Sequence, residues 1–336
     1  MSTNVTATMN GTQSMLSCFN PTARNFGETL AYCLLFLVSL IGNTFIGIIV
    51  FKTKSLRKPI NFLIFNMAMS DMIPPIFLFP RKLVWLHTRS WLIGGPLGQT
   101  LCKLSIFFSN MSTSVSVQSL VLITVDRFVA VVFPLRCPFI SSKQCRFFIL
   151  ATWIIAMAGW CPDLFAWKVV EYPERLACEH DWNDAFRGSS SFRNYLMTII
   201  VVMYYVPLIL VAILYFSIDI KIKSQKNPGE QSTNARERRL KREKNVLKLS
   251  IAIVLGFALC WLPFSILWFM LLNSDRTILT SCGFNYFSSV AELLALSNCA
   301  INPWICVCFV GNYRQGLKNL FCRSSVGTKV NQVTPY

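Results

Sequence analysis

The chain has 336 residues, 54% of them hydrophobic and only 14% charged, with a mean hydropathy of +0.49. Soluble domains average about 25% charged residues, so this composition excludes a water-solvated globule and indicates a chain solvated by lipid. The formal net charge of +17 is gathered in a few connections between apolar runs. It therefore follows membrane sidedness, and nucleic acid is not the expected partner.

Residues 1–27 are polar, rich in Thr and Asn, too short for a folded domain, and without the apolar stretch of a signal peptide. Asn4-Val5-Thr6 and Asn10-Gly11-Thr12 are glycosylation sequons, at Asn4 and Asn10. A third, at Asn110, falls inside an apolar run and is expected to be silent. Seven apolar stretches follow: 29–51, 59–80, 104–125, 147–167, 194–218, 249–274 and 277–313. A spanning helix needs about 20 residues. Backbone groups in lipid must be satisfied within the segment, so all seven are predicted helices. Lys and Arg cluster at 52–58, 136–146, 221–248 and 314–329. These alternate connections are expected to be cytoplasmic, with the N-terminus outside. No paired halves of the transporter kind are visible.

Segment one holds Gly42-Asn43, and segment two Asn66 and Asp71 followed by Pro74-Pro75. An ionised carboxylate in mid-membrane costs about 2.5–3.5 kcal/mol, so Asp71 is expected to face a cation or several donors. The prolines are expected to break the helix. Arg81, Lys82 and a Trp91-Leu92-Ile93-Gly94 turn precede Cys102. Segment three places Ser109, Ser112 and Ser116 on one stripe. It ends in Asp126-Arg127-Phe128, a charged pair at the membrane rim. Segment four carries Trp153, is expected to end near Pro162, and holds Asp163 near the end of its apolar run. Segment five carries Pro207 and Tyr215. A basic stretch containing Glu243 is expected to extend segment six, which reads Phe257-Ala258-Leu259-Cys260-Trp261-Leu262-Pro263 and is kinked at Pro263. Segment seven holds Glu292, Asn298, Asn302 and Pro303. Residues 311–322 turn amphipathic, suiting a helix in the membrane interface, and Cys322 at their end is a candidate for acylation. Cys102, Cys178, Cys18 and Cys282 are all expected on the outer side, where disulfides persist. Cys102–Cys178 and Cys18–Cys282 are candidate bridges, although spacing alone does not assign connectivity.

These residues, one set per segment and in order, resemble those of a rhodopsin-like (class A) G-protein-coupled receptor over residues 28–322. The matching positions are Gly42-Asn43, Asn66 to Asp71, Cys102, Asp126-Arg127, Trp153, Pro207 with Tyr215, Cys260-Trp261-Leu262-Pro263, and Asn302-Pro303. The 91–94 turn and the run into Trp261 are most similar to the neuropeptide-receptor branch. Ser109 stands where monoamine receptors carry Asp, and Leu296 where opsins carry the retinal-binding Lys. The resemblance departs at Phe128, where the family has Tyr, and at Cys306, where the family's Asn-Pro-x-x-Tyr ends in Tyr.

The resemblance implies an all-α seven-helix membrane bundle over 28–310, an N-terminal arm at 1–27, a surface helix at 311–322 and a cytoplasmic tail at 323–336. It implies a non-enzymatic plasma-membrane receptor for an extracellular ligand, a neuropeptide first, with a lipid or small molecule as the alternative and a transporter as the more distant rival. Its cytoplasmic partners would be a heterotrimeric G protein and arrestin, with lipid around it. Glu292, Arg81, Lys82, Ser109 and Trp261 are the expected ligand contacts. Glu292 would meet either a cation of the ligand or Arg81 or Lys82 within the protein. Asp71, Ser116, Asn298 and Asn302 match the family's sodium site, sodium being the one ion expected to act, as a negative modulator. Asp126, Arg127, Glu243, Tyr215, Phe257, Trp261, Pro263, Asn302 and Pro303 form the expected switch. In it, Arg127 pairs with Asp126 and Glu243 until segment six swings outward.

Overall fold

The computed structural model describes residues 20–133, 140–187, 191–224, 234–273, 276–309 and 311–326, without the side chains of 21, 55, 234–247, 249, 250, 276, 312 and 321–326. Segment one is α1 (Pro21–Lys52). It begins in the arm, before the apolar run, because Asn20 caps it: its side chain accepts from Thr22 N and Ala23 N, with Pro21 in the first turn. Segment two is broken into α2 (Pro59–Asp71) and α3 (Ile73–Thr88). The break sits just before Pro74-Pro75, whose nitrogens cannot donate to the helix ladder. Segment three is the 38-residue α4 (Gly95–Val132), and segment four is α5 (Ser142–Trp160).

The helix α5 opens on a capping box between Ser141 and Gln144. It stops at Trp160, close to Pro162 as expected, and Cys161-Pro162 turns the last residues of the apolar run into a single helical turn, Asp163–Ala166. At 19 residues, opening with Lys143 and Arg146, it is the one segment not apolar and long enough by itself to cross a membrane; six helical stretches among the described residues are. Segment five is α6 (Phe192–Ile200), a π-helical turn (Val201–Tyr205) and α7 (Val206–Ser224). The wide turn sits directly before Pro207, which lacks a backbone donor. Segment six is α8 (Asn234–Asn273), continuous with the basic stretch as expected. Segment seven is α9 (Cys282–Phe309), and α10 (Gly311–Val326) runs further than residue 322.

A two-stranded hairpin was not foreseen. Strands β1 (Trp167–Tyr172) and β2 (Arg175–His180) pair antiparallel, with Val169 opposite Cys178. The Cys102–Cys178 disulfide ties β2 to the start of α4. Trp91 N donates to the Leu176 carbonyl at 2.8 Å, and Gln99 brackets β1 by accepting from Val169 N and donating to the Trp167 carbonyl. The hairpin thus lies across one end of the bundle, here the hairpin end.

At the opposite end a core of Ile46, Ile49, Leu63, Leu120, Ile218 and Tyr313 knits α1, α2, α4, α7 and α10 together. Large apolar side chains such as Phe147, Ile154, Ile213, Phe216, Leu255 and Leu259 are exposed around the middle of the bundle. That is the inverse of a water-soluble surface and suits a lipid-facing belt.

Candidate functional site

Polar side chains inside the bundle are concentrated at helix crossings. Asn43 donates to the carbonyls of Ser39 and, across to α9, Cys299. Asn66 donates to Ser119 and Thr152 and accepts from Trp153 Nε1 at 2.8 Å, joining α2, α4 and α5. Each bond answers a group that lipid could not solvate.

Asp71 is 2% exposed. Ser116 Oγ donates to its Oδ1 at 2.6 Å and Asn302 Nδ2 to its Oδ2 at 2.7 Å. Ser70 lies 2.8 Å from Ser116, and Ser112 donates to the Ser70 carbonyl. A carboxylate has about four acceptor directions, so two donors leave it room for a cation. Asn298 is buried on the same side. The donor set of one carboxylate, hydroxyls and amides suits a hard monovalent cation such as sodium. Turning the Asn302 amide over would present its oxygen in place of its nitrogen.

From Asp71 a cavity of about 730 Å³ opens toward the hairpin. Its walls include all five expected ligand contacts, Arg81, Lys82, Ser109, Trp261 and Glu292. Lys82 Nζ and Glu292 Oε2 are an ion pair at 2.7 Å, so the internal alternative for Glu292 is the one realised. Arg81 stacks 4.9 Å over the Trp167 ring and reaches the Cys178 carbonyl at 3.5 Å. Trp261 lies in an aromatic column with Tyr204 at 5.5 Å and Phe257 at 5.8 Å. Five buried polar atoms in these walls have no partner among the described residues: Arg81 Nη1, Trp91 Nε1, Ser109 Oγ, His180 Nε2 and Trp261 Nε1. Unpaired buried polar groups are costly, and their concentration in one cavity points to a polar ligand.

The hairpin supplies its own electrostatics. Lys168 bridges Asp181 and Asp184, each at 2.8 Å. These bonds hold the Lys168 ammonium above its ordinary pKa and the Asp181 carboxyl below its own. Burial pushes the His180 imidazole down against the opposing pull of Asp181. It stays neutral among Trp167, Trp182 and Phe192. None of these residues was singled out from sequence, because their roles depend on the hairpin register.

At the other end Arg127 is paired with Asp126, and its Nε is buried without a partner among the described residues. The Glu243 side chain lies outside the described residues. Tyr215 meets Thr124 Oγ1 at 3.0 Å. Cys306, in the family's tyrosine position, is buried. Tyr313, in the same buried cluster, is fully buried and donates to Asn61 Oδ1 at 3.2 Å. Pro263 lies inside α8 and Pro303 inside α9. Among the cysteines, Cys282 is disulfide-bonded. Cys18, with Asn4 and Asn10, lies outside the described residues, as does the Cys322 side chain.

The family model described as 7 transmembrane receptor (rhodopsin family) matches residues 42–305. The RYamide receptor of Drosophila melanogaster is 27% identical over 315 residues, covering 90% of this chain and 67% of its own length. The QRFP-like peptide receptor of Branchiostoma floridae is 28% identical over 313 residues, covering 90% and 78%. Neuropeptide FF receptor 2 of Rattus norvegicus is 30% identical over 318 residues, covering 88% and 73%.

Proposed function

Since the chain belongs to the rhodopsin family of seven-transmembrane receptors, we propose that it is a peptide receptor that activates heterotrimeric G proteins. The observation that carries this reading is the cavity under the disulfide-anchored hairpin, open at one end of the bundle and lined by unpaired polar atoms. Its volume, about 730 Å³, is that of a site for one compact ligand segment. A peptide would insert one end there and leave the rest against the hairpin. The relatives named for peptides support a peptide over a lipid. The hairpin end is then extracellular, in keeping with the basic connections at the other end.

Activation is a population shift between two bundle arrangements. The ligand leans on Trp261, beside the kink at Pro263, and the far half of α8 swings outward. Arg127, released from Asp126 and from Glu243 at the foot of α8, then borders a groove for the C-terminal helix of a G-protein α subunit. Arrestin would compete for the same groove. A sodium ion at Asp71, Ser116, Asn298 and Asn302 would favour the resting arrangement, and a Cys18–Cys282 bridge would tie the arm to α9.

Amidated peptides, including ones ending in Arg-Tyr-amide, are to be screened on purified receptor with a purified G protein, reading nucleotide exchange. Peptide-dependent exchange is expected. Exchange that no peptide stimulates, with a lipid or small-molecule fraction active instead, would refute the peptide reading.

A further inference from the structure

Glu292 is the acid that sequence points to, yet Lys82 already neutralises it. Of the other three acids in the cavity walls, Asp71 has two neutral donors, Glu179 accepts from the Tyr172 hydroxyl, and Asp163 is the least answered buried one. Asp163, beside the Pro162 turn that ends segment four, is 4% exposed and lines the cavity. Its side chain receives one hydrogen bond, from Asn110 Nδ2 at 2.8 Å. Among the described residues no Lys, Arg or His lies within ion-pair distance of it. A buried carboxylate answered by one neutral amide has lost its water without a replacement counter-charge.

The surroundings are built to hold still and to receive a cation. Trp160 Nε1 donates to Ser114 Oγ at 2.8 Å, Ser114 meets the Tyr204 hydroxyl at 3.4 Å, and Tyr204 donates to the Asn110 carbonyl at 3.4 Å. Tyr195, pinned to the Gly159 carbonyl at 3.0 Å, lines the same cavity and, like Tyr204, lies within electrostatic reach of the Asp163 carboxylate. Aromatic faces attract cations, most strongly where water is excluded.

We propose that Asp163, with Asn110, Tyr195 and Tyr204, is the subsite for a positive group of the ligand, a guanidinium or an amine. The Lys82–Glu292 pair is then a wall of the cavity and not the anchor. This assignment rests on the reading of the cavity as a ligand site. It makes the ligand a cationic one, and it places the cation on the α5–α6 side, not at the Lys82–Glu292 pair of α3 and α9.

Two measurements test it. The first uses synthetic peptides ending in Arg-Tyr-amide or citrulline-Tyr-amide, on cells expressing wild type, Asp163→Asn or Glu292→Gln at matched surface levels. Asp163→Asn should raise the half-effective concentration of the arginine peptide by at least about 30-fold, as removal of one member of a buried charge pair does. It should leave the weaker citrulline peptide nearly unchanged, while Glu292→Gln should weaken both peptides alike. Equal potency of the arginine peptide on wild type and Asp163→Asn overturns the assignment.

The second needs no signalling: thermal melting of purified receptor in arginine amide against citrulline amide. Stabilisation by arginine amide that Asp163→Asn abolishes supports the subsite even if both peptides prove silent, in which case only the peptide reading falls. Superimposed melting curves for wild type in the two amides overturn the subsite itself.

Discussion

Single side chains decide whether a buried charge is a strut or a switch. Among the described residues Arg127 has one carboxylate partner, Asp126, and a buried Nε without any. It is therefore held by little, which suits a group that must let go. Asp126→Asn removes that partner and leaves the guanidinium uncompensated in the resting arrangement. Basal nucleotide exchange is expected to rise about threefold to tenfold, the equivalent of about 0.7–1.4 kcal/mol, measured without ligand at equal surface expression. Glu243→Ala tests the second restraint in the same assay: unchanged basal exchange would leave Asp126 as the sole brake. Cys306 sharpens the point. Tyr313, buried in the same cluster, bonds Asn61, which contributes about 1 kcal/mol and fastens α10 to the foot of α2. Sequence comparison exposes the loss at Cys306, but not the Tyr313 bond, which depends on how α10 packs.

Among the elements, the hairpin and the turn that supports it matter most. The 91–94 turn folds so tightly onto α4 that a Cβ added at Gly98 would lie 1.7 Å from the Ile93 carbonyl oxygen. Only glycine fits, and the turn in turn positions Trp91 to bond Leu176 of β2. Gly98→Ala should push the turn off α4, loosen the hairpin and lower agonist affinity at least about tenfold. Radioligand saturation on membranes checks this, and unchanged affinity would mean the disulfide alone positions the hairpin. The break in segment two and the end of segment four were legible beforehand, since Pro74-Pro75 and Pro162 lack the donors a helix requires. The single helical turn that the chain makes past Cys161-Pro162, Asp163–Ala166, was not. That turn is what carries Asp163 into the cavity.

Across the whole molecule, two polar centres lie at the two ends of one continuous cavity. Asp71 with its Ser and Asn donors forms the floor, and the hairpin forms the lid. A cation on the floor and a ligand under the lid would favour different arrangements of the same helices, so each must weaken the other by the same factor. Raising sodium chloride against a matched choline chloride control should reduce agonist affinity about fivefold or more in wild type, within the usual range of such couplings. Asp71→Asn, which keeps one acceptor oxygen, turns the other position into a donor and removes the charge, should abolish the difference. Wild-type binding indifferent to sodium would show that the Asp71 centre is structural only.

Seven apolar runs, alternating basic connections and one polar or proline position per run determined the family and the order of the helices. Those features act locally, through the length of the bilayer, the cost of bare backbone in lipid and the missing proline donor. Partnership was beyond their reach, because it depends on which side chains separate helices bring together. Glu292 and Asp163 read alike along the chain, each a lone acid in an apolar run. Only the packed bundle sets Lys82 at 2.7 Å from the first and leaves the second facing the cavity with an amide.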